Sequence, residues 1–239
     1  MSSTTAPVDV GGAPRSRTVP RWLRESWVAA LAVYCLGFAV YGAHRYTTFE
    51  SRFSRVPIRA DVPVHYPLLA LHVLTGAVAV SLAWLQVWPW LRERRPDLHR
   101  RIGRTYFFAG VFPSAVLAFP VAVLTPGGQG IRAVLLTMAV LWSITAVAGF
   151  RAAVQGRYAD HRRWMLRNVA MTTTIITSRI LSVLFVDSTL ALLPGTYDDQ
   201  RQFVYLTMSA TGLWAAIVLH LFFVEWVLLR PRSRRRRAA

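Results

Sequence analysis

The chain has 239 residues, 54% of them apolar, and a mean hydropathy of +0.36. Its apolar content is gathered into runs of about 18–25 residues, each long enough to cross ~30 Å of hydrocarbon, which excludes a soluble core with one anchor. The net charge of +17 rests on arginine, with no lysine, and these arginines crowd the edges of the runs, where membrane topology explains them better than nucleic-acid binding.

Residues 1–20 are small, polar and rich in proline and glycine, the composition of a disordered tail. Arg15, Arg17, Arg21 and Arg24 precede the first apolar run, Trp27–Tyr41. No small-x-small cleavage site follows before His44-Arg45, so an uncleaved first helix is expected. Cys35, the sole cysteine, lies in this run and excludes an intrachain disulfide or a multi-cysteine metal site. A polar connection over 44–65 leads to the second run, Tyr66–Trp90, whose Trp84, Trp88 and Trp90 read as an interfacial belt. Residues 91–104, LRERRPDLHRRIGR, form a basic loop before the third run, Thr105–Leu124, where Pro113 and Pro120 predict kinks.

The turn TPGGQG leads to the fourth run, Ile131–Phe150, and a second basic loop, Arg151–Arg163. The fifth run opens on Asp160, a predicted helix cap, and reaches about Val186. An acidic connection over 187–201 precedes the sixth run, Gln202–Leu229, and residues 231–239 are a basic tail. This pattern predicts an all-α, polytopic membrane protein, a six-transmembrane-helix bundle occupying residues 21–230. Residues 1–24, 91–104, 151–167 and 230–239 hold 21 of the 28 arginines, and the alternate connections hold 6. By the positive-inside rule both termini are cytoplasmic, in a multi-pass protein of a bacterial cytoplasmic membrane.

The basic loops echo one another. Asp97-Leu-His99-Arg100-Arg101 precedes the third helix and Asp160-His161-Arg162-Arg163 the fifth, which suggests a hairpin repeat of helices 2–3 and 4–5. Cations at a helix N-terminus oppose its dipole. One account is topology plus ion pairs to Asp97 and Asp160. The other is a shared anion, with Arg100, Arg101, Arg104, Arg162, Arg163 and Arg167 as contacts to it or to anionic lipid head groups.

His72 with Gly76, HRRIGRTY (His99–Tyr106), HRRWMLR (His161–Arg167) and the downstream Arg179 together resemble a family of bacterial membrane proteins known as domain of unknown function 2306. The resemblance covers residues 66–186 and leaves the first and sixth helices outside. It implies a multi-helix integral membrane protein and carries no activity.

At ~100° per residue, His161, Asn168, Thr172 and Arg179 fall within roughly 20° of one line on the fifth helix. The second helix aligns His72, Gly76 and Gln86, the third His99, Gly103, Tyr106 and Gly110, and the sixth carries His220. Gln86, Tyr106, Asn168 and Thr172 are therefore expected to build a polar interior. Three functions fit. A b-type haem protein in electron transfer, similar in outline to cytochrome b561, would use His99 or His161 with His220, or His72 with His44, and Arg179 among the cofactor contacts. A transporter or channel would line its path with His72, Asn168, Thr172 and Arg179. A non-catalytic scaffold would only hold lipid head groups. No metal-ligand set and no HExxH, GxSxG or Walker-type motif is present in the sequence, and its oligomeric state is not legible.

Overall fold

The computed structural model describes residues 21–54 and 56–230; the tails read above as disordered (1–20) and basic (231–239) lie outside the described residues. Six long apolar helices are present and, among the described residues, no strand. They are α1 (Arg21–Ala43), α2 (His65–Val87), α3 (Pro96–Leu124), α4 (Gly128–Val154), α5 (Tyr158–Leu192) and α6 (Arg201–Leu228). Their outward faces carry apolar side chains such as Val33, Val116, Ile144, Val183 and Phe222, as a surface solvated by lipid requires.

Local chemistry sets the breaks. Pro89 holds Trp88 extended (ψ 113°), which ends α2, and a short helical segment, Pro89–Arg94, follows. Pro96 then starts α3, where its missing N–H costs nothing. The stretch 96–104, expected as loop, is therefore helical, and its His99-Arg100-Arg101 cluster rides on a continuous helix. Between Tyr106 and Val111 that helix widens into a π turn, with the Phe112 N–H bonded to the Phe107 carbonyl. Pro113, which cannot donate to the preceding turn, sits just beyond. The wide turn keeps Tyr106, Phe107, Gly110 and Val111 all buried. A left-handed Gly156 (φ 71°) closes α4, with Arg157 N–H bonded back to the Ala152 carbonyl.

The helices pack as an antiparallel series in which α5 is the hub, against α6 and α4 most extensively and also against α2 and α1. At 35 residues it is longer than a bilayer needs. Asp160 does not cap it: α5 begins at Tyr158, and Asp160 in its first turn pairs with Arg157 at 2.6 Å. On the side opposite the basic connections, Tyr46 stacks on Tyr66 (6.2 Å) and the Arg59 N–H donates to His65 Nδ1 (2.9 Å). A hydrogen bond from the Arg59 guanidinium holds the exposed Asp61 carboxyl below its ordinary range.

Candidate functional site

The polar residues of α5 divide between two faces. On one, Asn168 and Thr172 meet Tyr106 of the α3 π turn and Trp142 and Thr145 of α4, all buried. The Tyr106 hydroxyl donates to Asn168 Oδ1 (2.6 Å), and Asn168 Nδ2 donates to Thr145 Oγ1 (3.1 Å) and the Trp142 carbonyl (3.3 Å). Trp142 Nε1–H donates to Thr172 Oγ1 (2.9 Å), whose own proton reaches the Asn168 carbonyl (2.8 Å). Tyr106 Oη also lies 2.8 Å from Thr172 Oγ1. Every donor has an acceptor, so these side chains tie three helices together and leave no group open to a solute.

The other face of α5 holds His220 of α6. Its Nδ1 lies 2.7 Å from the Ala170 carbonyl and 3.2 Å from Thr174 Oγ1, and its Nε2 2.8 Å from Thr177 Oγ1. Thr177 Oγ1 in turn meets Tyr34 Oη of α1 at 2.7 Å. With Nδ1–H given to the carbonyl, Nε2 accepts from Thr177, and His220 has no open ring nitrogen. The structure does not bring His220 to His99 or His161 as a ligand pair; it is a clamp between α1, α5 and α6.

His72 and Ser114 join α2 to α3. His72 Nδ1 lies 2.9 Å from the Ser114 carbonyl, and Ser114 Oγ donates to the His72 carbonyl at 3.0 Å. Ser114 is two turns beyond Tyr106, which puts His72 at the depth of residues 176–180 on the parallel α5 and thus level with Arg179. No hydrogen bond or ion pair joins them. Arg179 is half-buried and, among the described residues, makes no hydrogen bond or ion pair.

The basic end of the bundle holds the remaining candidates. His161 Nδ1 lies 2.9 Å from the Gly149 carbonyl, which fixes the tautomer and leaves Nε2 with its lone pair. His99 stands seven residues before Tyr106 on α3 and His161 seven before Asn168 on α5, and the Tyr106–Asn168 bond sets the two histidines at one level of the bundle; His99 has a buried Nδ1 with no partner among the described residues. Gln86 is buried beside them, its amide 3.4 Å from the Leu82 carbonyl and its Oε1 against Gly103. Around this end Arg101, Arg104, Arg162 and Arg163 are exposed. Arg100 is paired with Asp97, and Arg167 makes a forked pair with Glu225 of α6 (2.6 and 3.0 Å) while lying over the Trp164 ring. The guanidinium of Arg167 is therefore committed within the chain. No group of three or more His, Cys, Asp or Glu suited to a metal ion occurs among the described residues.

Sequence reasoning misses Trp142, Thr145, Ser114, Tyr34, Thr174 and Thr177 as partners. Each is a single polar group inside an apolar run; only the triple threonine, Thr172–Thr174, hints that α5 serves two faces. A family model described as "Predicted membrane protein (DUF2306)" matches residues 69–228, a span that runs on through α6. No curated protein and no solved structure matches the chain.

Proposed function

The chain belongs to the DUF2306 family of predicted membrane proteins, and we propose that it binds a haem between His99 and His161 and transfers electrons at the membrane. The observation that carries this reading is a pair of histidines with uncommitted ring nitrogens, at one level on two different helices at the basic end. Axial histidines from two helices are one way in which a protein holds a haem iron. The Gly149 carbonyl orients His161 as an outer partner orients a ligand. Arg162 and Arg163, beside His161 on α5, supply cations for the propionates. The bound group would supply a one-electron couple, and the residues' part is to hold it, to set its charge environment and to exclude water.

A second reading is an anion transporter centred on Arg179. It is favoured by that residue's lack of a partner at the depth of His72, where an unpaired guanidinium is costly. It is weakened by Asn168 and Thr172, which are closed into the three-helix network and cannot line a path without breaking it. Under either reading the rim arginines contact anionic lipid head groups.

Absorption spectra of the purified protein separate the two. A Soret band that shifts on dithionite, disappears in His99→Ala and His161→Ala, and survives in His72→Ala and Arg179→Leu is expected. A colourless protein from haem-supplied cells rejects the haem, and loss of phosphate or carboxylate flux in Arg179→Leu proteoliposomes would then establish the second reading.

A further inference from the structure

An open groove of about 480 Å³ runs between α1 and α2. Its walls are largely apolar, with the short Ala39 and Ala43 on one helix and Ala77 and Ser81 on the other set between Val40, Val78 and Leu82, and Thr105 of α3 lies at one end. In hydrocarbon such a gap does not stay empty, because its lining would forfeit dispersion contacts on one side. The surrounding chemistry selects the occupant. Thr105 Oγ1 donates to the Arg101 carbonyl (3.3 Å), so Arg101 lies one turn further along the same face of α3, toward the basic end. The neighbouring Arg100 is neutralised by Asp97, whereas Arg101 and Arg104 are exposed and, among the described residues, meet no carboxylate. An apolar trough that ends in uncompensated guanidinium groups matches an anion joined to a hydrocarbon chain. A second copy of this chain fits it less well, since a twofold pairing over the groove would bring a second Arg101 to the first.

We propose that this groove binds one anionic phospholipid, with an acyl chain against Ala39, Ala43, Ala77 and Ser81 and the phosphate at Arg101. The site is separate from the histidine pair and stands whether or not a haem is bound. Native mass spectrometry of the full chain released from nanodiscs of phosphatidylglycerol and phosphatidylcholine tests it. One phosphatidylglycerol retained per chain is expected, with retention weakened about fivefold in Arg101→Gln, the effect of one surface arginine on an anionic lipid. Ala77→Phe, which fills the trough, should abolish retention while the protein elutes as wild type. Should that variant fail to fold, Ala43→Leu occupies the same space from the other wall. Glycerol phosphate, which has the head group without the chain, should not bind. Equal retention of phosphatidylcholine, retention undiminished by the filled groove, or a dimer that Ala77→Phe converts to monomer would each overturn the assignment.

Discussion

Tyr106 is fully buried, and its hydroxyl reaches two side chains of α5 from a turn of α3. Removing that oxygen takes the donor from Asn168 Oδ1, which no water can replace at that depth. Tyr106→Phe is therefore expected to destabilise the protein by ~1–2 kcal/mol, the range for a buried hydrogen bond in a membrane interior. Thr145→Val, at the far end of the same network, should cost a comparable amount by freeing one Asn168 amide proton. Because the two share Asn168, the double variant should cost less than the sum. Unfolding in mixed micelles by titration with a denaturing detergent gives all three values. Strict additivity would mean that Asn168 does not link them.

At the scale of elements, α5 is held from two sides. Its contact with α4 and α3 is a closed polar network, and its contact with α6 adds a close steric approach to the His220 and Glu225 bonds. A Cβ on Gly212 of α6 would lie 2.7 Å from Ser182 Oγ and 2.9 Å from Ser182 N. The approach of α3 to α2 is equally tight: a Cβ on Gly110 would sit 2.8 Å from the Ala79 backbone nitrogen. Backbone cannot move aside as a side chain can, so Gly110→Ala should cost about 1–3 kcal/mol as an overpacked contact, and Gly110→Leu should leave little folded protein. Gly37→Ala, in an open stretch of α1 with nothing within 4 Å, is the control and should stabilise by up to ~1 kcal/mol through helix propensity. Thermal unfolding followed by size-exclusion fluorescence distinguishes these outcomes; equal stability of Gly110→Ala and wild type would deny the close approach. The alignment of Gly110 with Tyr106 is legible in the sequence by helical spacing. The π turn is not, because only the packing of α2 reveals why the face must widen there.

At the scale of the whole molecule, the six spans are legible because each is an unbroken apolar run between arginines or turn residues. Their ends are less so. The fifth run extends to Leu192 because Ser188 and Thr189 return their hydroxyl protons to the Phe185 carbonyl and stay helical beyond the polar Asp187. The inward side of α5 follows from 3.6-residue spacing, whereas its partners on α4 and α1 do not, since a lone Trp142 or Tyr34 in an apolar helix carries no sign of the direction it faces. Orientation in the bilayer depends on charge alone. The connections at α2–α3 and α4–α5 carry most of the arginines between spans, and those at the other end carry few, so the positive-inside rule predicts that the former face the cytoplasm. Cys35 is buried, and replacing it by alanine gives a background for single cysteines at exposed Gln155, in the α4–α5 turn, and exposed Thr196, in the α5–α6 connection. A membrane-impermeant maleimide applied to intact cells should label Thr196→Cys and spare Gln155→Cys until the cells are opened. The reverse pattern would place the histidine pair and its arginines on the outer surface, where an electron partner from the cytoplasm could not reach them.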